Sequence, residues 1–433
     1  MTSMIDVVLL GFALLFLLFL LRMPVAFAMA LVGLIGFSYL VSTKAGLCLV
    51  AKDVWGMFSS SDLSVLPMFV LMGSIAFYSG ISDKLFKAFN AFLGKQRGGL
   101  ATATILACAG FAAICGSTIA GAAAVGKVTI PEMKRYKYAP SLGAGCVAAG
   151  GTLGILIPPS TIFIIYAILT QESIGKLFAA GIFPGIILTM LFIATIYVLI
   201  RWKPTLAPPG SESTWKEKIA SLSGAGEPIV LFGLVMGGLF AGWFTPTEAG
   251  AVGAGGILVI VLLRRMLTWK GFINSLKDTT KITCTVFMIV TGALIFGRFM
   301  AVTRVPFELS SWVGGLDVSP EIIMGLIVFG YLIGGCFMDS LALLTLTVPI
   351  LFPVVSNLGY DPIWFGVIIV LVTEMGVITP PIGINVYVIQ GVAPDIPLET
   401  IFKGILPFLI PIIVTIGLLI IFPAIGLFLP SLL

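Results

Sequence analysis

Long apolar runs separated by short polar segments dominate the chain, and their spacing predicts its elements. Runs at about 7–21, 24–41, 63–79, 142–169, 177–200, 228–242, 246–263, 282–302, 363–392 and 405–429 read as about ten transmembrane crossings. A helix needs about 20 apolar residues to span the hydrocarbon layer, so the run at 228–242 is short. Two further apolar stretches, 100–130 and 322–353, do not fit as single crossings. Small polar residues interrupt each near its middle: Cys115-Gly116-Ser117-Thr118 in one, Phe337-Met338-Asp339-Ser340 in the other. Each is expected to be a re-entrant helical hairpin, because non-helical backbone survives at membrane depth only where protein buries it or where it lines a wet cavity. The pattern predicts an all-α polytopic membrane protein.

Composition agrees: 59% of the 433 residues are hydrophobic and only 10% charged, against about 25% charged in soluble proteins. There is no histidine, and the six cysteines include no Cys-x-x-Cys pair, so neither a zinc site nor a disulfide frame is indicated. The N-terminus lacks a basic leader and a small-residue cleavage site, so it reads as a retained first helix rather than a signal peptide. The net charge of +5 is concentrated in a few loops, a mark of membrane topology and not of nucleic-acid binding. Lys84, Lys87, Lys95 and Arg97 precede the first hairpin, and Lys127, Lys134, Arg135 and Lys137 follow its tip, which predicts that it opens to the cytoplasm. Glu308, Asp317 and Glu321 precede the second hairpin and Asp361 follows it, which predicts the opposite side. The basic loops 201–218 and 264–281 are then cytoplasmic, and threading ten crossings puts both termini in the periplasm of a bacterial inner membrane.

The halves also match residue by residue. At an offset of 353 − 131 = 222, Pro131 meets Pro353, Pro24 meets Pro246, Pro140 meets Pro362, and Pro158-Pro159 meets Pro380-Pro381. Chance would match about 0.7 proline pairs at one offset. Tyr138 meets Tyr360 and Gly154 meets Gly376 at the same offset. Two repeats are therefore expected. Residues 1–222 contain a hairpin at about 100–130 and a broken helix at about 142–169. Residues 223–433 contain a hairpin at about 322–353 and a broken helix at about 363–392. Five crossings per half invert the second repeat, an architecture of secondary transporters with the site near the midplane.

In each half the hairpin tip is followed by a helix interrupted at Gly-x-x-x-Pro-Pro, at Gly154–Pro159 and Gly376–Pro381. A double proline removes two backbone donors and frees carbonyls of the preceding turn. Those carbonyls, with hydroxyl or carboxylate oxygens from the facing tip, suit Na⁺, and the positive half-helix ends suit a carboxylate. The first ion site is expected to use Ser117 with backbone near Gly154, the second Asp339 and Ser340 with Gly376 and Thr379. The competing reading is a pair of structural kinks. Arg298 could face an anionic substrate or snorkel to the surface. Glu248 is expected to cap its helix with Thr245 or Thr247. Asp339 could carry a proton instead of ligating the ion. The run Gly121–Val128 nearly spells a phosphate-binding loop, but Val128 replaces the required hydroxyl residue and no strand precedes it.

Several of these runs resemble one family. Gly116-Ser117-Thr118, Ile130-Pro131-Glu132-Met133-Lys134, the run ending Ile157-Pro158-Pro159-Ser160, Thr245-Pro246-Thr247-Glu248-Ala249-Gly250 and Thr379-Pro380-Pro381-Ile382-Gly383 resemble the large membrane subunit, DctM type, of tripartite ATP-independent periplasmic (TRAP) transporters. The resemblance spans nearly the whole chain. Arg135-Tyr136-Lys137-Tyr138 departs from it in a loop, where the family often has a glycine before the tyrosine. It implies Na⁺-coupled uptake of an organic acid by an elevator-type motion. It also implies a separate small four-helix membrane subunit and a periplasmic substrate-binding protein. Carried over, the ion and substrate ligands are Ser117, Thr118, Ser160, Asp339, Ser340 and Thr379. Separately from the resemblance, Arg298 and Asn385 are expected to join Thr118 and Ser160 on the substrate. Two other functions compete: a sodium/dicarboxylate symporter that needs no binding protein, and an intramembrane enzyme on lipid-linked substrates. The lack of histidine and of paired cytoplasmic carboxylates argues against the enzyme.

Overall fold

A computed structural model describes residues 4–210 and 214–433. The first three residues, and 211–213 within the loop expected at 201–218, lie outside the described residues. Regular structure among the described residues is helical, with one isolated bridge between Arg97 and Pro209. In the first half, α1 (Met4–Leu20), α2 (Val25–Leu40), α3 (Thr43–Ser59), α4 (Val65–Tyr78) and α5 (Ile81–Leu93) precede the first hairpin, α6 (Gly99–Cys115) and α7 (Thr118–Arg135). The broken helix follows as α8 (Pro140–Gly151), α9 (Leu153–Leu156) and α10 (Thr161–Thr170), then α11 (Ile174–Trp202). In the second half come α12 (Trp215–Phe240), α13 (Pro246–Leu263), α14 (Trp269–Thr303) and α15 (Val305–Gly314). The second hairpin is α16 (Pro320–Phe337) and α17 (Ser340–Asn357). The second broken helix is α18 (Pro362–Ile378) and α19 (Ile384–Val392), followed by α20 (Leu398–Ile421) and a last turn, α21 (Ala424–Leu427).

Eight described helices are long and apolar enough to cross a membrane, or nine if α4 and α5, bent by 65°, count as one span. Two of the eight are the arms of the second hairpin. The number falls below the expected ten plus hairpins for a reason of length: α1, α2 and α18 are apolar but have only 17, 16 and 17 residues. Other expectations change too. The basic segment 83–97 is not a loop: it is mostly α5, which buries Ile81, Leu85, Phe86 and Ala88, turns Lys87 outward and sets Lys84 half-buried against Met266. The basic segment 264–281 is a loop only at its start, because α14 runs unbroken for 35 residues from Trp269. The run at 228–242 is short because Pro228 sits inside a 26-residue helix whose start is fixed by a capping box, Thr214 with Glu217. α3 corresponds to none of the expected crossings; Lys44, Lys52 and Asp53 dilute its apolar signal.

Helix boundaries recur at the 222-residue offset. α7 and α17 start at 118 and 340 and end at 135 and 357, and α8 and α18 start at 140 and 362. The Pro158-Pro159 and Pro380-Pro381 bonds are both cis. The broken helices form the centre of the molecule: every residue from Leu142 to Gly151 and from Ile363 to Ile378 is buried. A helix apolar on all sides belongs in a protein interior or a membrane. The hairpins pack against these two, and their polar tips come together beside them.

Candidate transport site

Each hairpin tip is a helix start. Ser117 caps α7, its hydroxyl oxygen accepting the Ala120 N–H at 3.4 Å. Asp339 caps α17, its carboxylate accepting the Leu341 N–H at 3.1 Å. The caps are 339 − 117 = 222 residues apart, and each satisfies backbone donors that a helix start leaves orphaned. Both glycines of the Gly-x-x-x-Pro-Pro runs allow close approach to a hairpin. A Cβ on Gly154 would lie 2.7 Å from the Ser117 carbonyl oxygen, and one on Gly376 would lie 2.5 Å from the Gly335 carbonyl carbon. The Thr161 hydroxyl, at the start of α10, donates to the Gly116 carbonyl at 3.0 Å and ties the first break to the first tip.

The tips converge on one cavity of about 580 Å³. Ser117 and Thr118 line it from the first hairpin, Asp339 and Ser340 from the second, Thr161 from the first broken helix and Glu374 from the second. α4 supplies Val70 to Tyr78, and α14 supplies Asp278, Lys281 and Thr285 along one face. Size and mixed lining fit a small-molecule site.

Glu374 is the residue the sequence reading passed over. Thr118 donates to one of its carboxylate oxygens at 3.0 Å and Ser340 to the other at 3.2 Å. The side chain is buried, 3% exposed, and has no cationic partner among the described residues. A carboxylate inside protein costs several kcal/mol unless compensated, by about as much as several hydrogen bonds restore. A signal was available: Glu374 is the lone acid in the apolar run 362–378, and an ionisable residue inside a crossing marks function.

Four of the expected site residues, Ser117, Thr118, Asp339 and Ser340, thus come together. Gly154 and Gly376 stand directly behind the tips. Thr379 lies at the end of α18, its hydroxyl donating to the Met375 carbonyl at 2.5 Å and outside the cavity lining. Ser160 is buried as the cap of α10, accepting the Phe163 N–H at 3.2 Å. Asn385 is buried against α8, donating to the Ala148 carbonyl at 3.3 Å. Neither lines the cavity. Arg298 is elsewhere: its side chain is 58% exposed and 3.5 Å from Asp53. It follows Ile289, the last α14 residue of the cavity, by 298 − 289 = 9 residues, which is about 180° around the helix at 3.6 residues per turn. Glu248 caps α13 with Thr245 in a capping box, as expected. The run Gly121–Val128 lies within continuous helix and forms no phosphate loop.

Sequence comparison places the chain. The family described as "Tripartite ATP-independent periplasmic transporter, DctM component" matches residues 12–425. The C4-dicarboxylate TRAP transporter large permease protein DctM of Pseudomonas aeruginosa is 37% identical over 379 residues, 87% of this chain and 88% of that protein. The sialic acid TRAP transporter large permease protein SiaM of Vibrio cholerae is 34% identical over 95% of each chain. The isethionate TRAP transporter permease protein DctMQ of Oleidesulfovibrio alaskensis is 34% identical over 83% of this chain and 56% of that protein. Among solved structures, the YdaH transporter of Alcanivorax borkumensis superposes with a TM-score of 0.60 at 14% identity, covering 88% of this chain and 90% of that one. MtrF of Neisseria gonorrhoeae gives 0.55 at 15%, covering 86% and 83%. These likenesses show a shared helical fold. With a family match over nearly its whole length, this multi-pass membrane chain belongs to the DctM family of tripartite ATP-independent periplasmic transporters, as their large permease component.

Proposed function

We propose that this chain carries an organic acid across the bacterial inner membrane, driven by Na⁺, after a periplasmic binding protein delivers it to a complex with a small four-helix subunit. One observation carries the reading: both hairpin tips and both broken helices meet at a single cavity, where the tips and the second broken helix present hydroxyl and carboxylate oxygens. Hard oxygen ligands suit Na⁺, and no cluster of three or more His, Cys, Asp or Glu exists among the described residues to favour a transition metal. Ser117 with carbonyls near Gly154 forms one ion site. Asp339 and Ser340, with carbonyls near Gly376 and Thr379, form the other. The hairpins and broken helices move together as an elevator against the remaining helices. The repeats 1–222 and 223–433 are inverted relative to each other, with both termini periplasmic.

The test is reconstitution of the chain with its small subunit in liposomes, with the binding protein and labelled C4-dicarboxylate, sialic acid or isethionate outside. Uptake of one of these should require an inward Na⁺ gradient and the binding protein together. Uptake without Na⁺ refutes the coupling. Uptake without the binding protein points to a self-sufficient symporter.

A further inference from the structure

Among the residues lining the cavity, one is cationic. Lys281 lines the cavity from α14 as an exposed residue, and its ammonium group makes no ion pair or hydrogen bond with a described residue. Its helix neighbour Asp278 lines the same cavity and accepts the Tyr78 O–H at 2.5 Å. The other cations nearby are occupied or turned away. Lys127 lies 5.1 Å over the ring of Phe77, Lys84 contacts Met266 at 2.8 Å, and Arg298 sits against Asp53.

Facing Lys281 are the hairpin tips, and their charge is negative. Asp339 caps α17 and so occupies the positive end of that helix with a carboxylate. Glu374 sits between the tips. The α7 start offers only hydroxyls, Ser117 and Thr118. Much of the remaining wall is apolar, with Ile119, Ile155, Ile162, Ile282 and Ile289. An anion entering this cavity meets one counter-charge. A second anionic group on the same molecule would lie beside Asp339 and Glu374 with no further cationic side chain to meet it, since Na⁺ at the tips is already matched by those carboxylates, and like charges brought together in a site of reduced dielectric repel strongly.

Resting on the anion-transport reading above, we propose that Lys281 holds the anionic head of the transported acid, and that the cavity favours acids with one such head over diacids of the same size. The hydroxyls of Ser117, Thr118 and Ser340 then face the uncharged polar part of the substrate.

Succinate and succinamate separate these requirements, since they match in size and differ by one charge. Each is titrated, in Na⁺, into the purified complex of this chain with its small subunit, and binding is read from the thermal shift. Succinamate should bind about tenfold tighter than succinate, a ratio equal to about 1.4 kcal/mol. Lys281→Gln should weaken succinamate by about tenfold or more, and Lys281→Arg should restore most of the loss. Lys277→Gln, one turn earlier on α14, exposed and outside the cavity lining, should leave both affinities unchanged. Succinate binding as tightly as succinamate, or Lys281→Gln binding like the parent, overturns the proposal while leaving anion transport intact. If neither anion nor sialic acid nor isethionate shifts the melting of the parent complex, the anion-transport reading itself fails.

Discussion

Thr118 and Ser340 belong to different hairpins, yet each gives its hydroxyl hydrogen to the same side chain, Glu374. One carboxylate therefore holds the two tips in register. Glu374→Ala should leave two hydroxyls without an acceptor in buried surroundings and open a void, costing about 2–4 kcal/mol. Thermal unfolding of the purified complex would register that loss, and liposome uptake should fall to background. Glu374→Gln keeps an acceptor and the volume, and should unfold close to the parent. Asp339→Ala removes a cap worth about 1 kcal/mol along with the proposed ion ligand. It should abolish Na⁺-driven uptake while the small subunit still copurifies, and full uptake would remove Asp339 from the ion site. Ser117, Thr118, Asp339 and Ser340 were legible because polar residues at the middle of an apolar stretch need a buried polar partner. Arg298 was not, because its direction depends on the phase of α14, and that phase is set by where the helix begins, 13 residues before its apolar run at 282.

At the scale of elements, the apolar stretches fixed the crossings better than the charged segments fixed the loops. α5 and the first turns of α14 carry lysines on one face and bury the other, so a count of charge mistook amphipathic helix for loop. Contacts between elements that are distant in sequence were beyond reach. Lys134, at the foot of the first hairpin, pairs with Asp395 in the turn between α19 and α20, 2.6 Å apart. The Lys134 hydrogen bond and charge hold the Asp395 carboxyl below its ordinary range. A lowered carboxyl contributes stability above its unfolded pKa and loses it as pH falls through the folded value. The stability difference between the parent and Lys134→Met should therefore be present at neutral pH and vanish in acid. Because the pair is exposed, it should also shrink in high salt. Melting curves across pH at two salt concentrations check both trends.

On the scale of the whole molecule, the offset seen in five prolines reappears in helix ends and caps, because proline tolerates few backbone conformations and restricts where a helix can begin. What the offset could not convey is how chemistry is divided between the halves. The charged residues of the cavity are Asp278, Lys281, Asp339 and Glu374. Subtracting 222 gives Gly56, Ser59, Ser117 and Thr152, all uncharged. Backbone architecture is shared between the repeats, while formal charge at the site belongs to one of them. Exchanging residues between paired positions is then not a silent operation: a carboxylate moved from 339 to 117 would put negative charge at the hydroxyl tip and leave the start of α17 without its acidic cap.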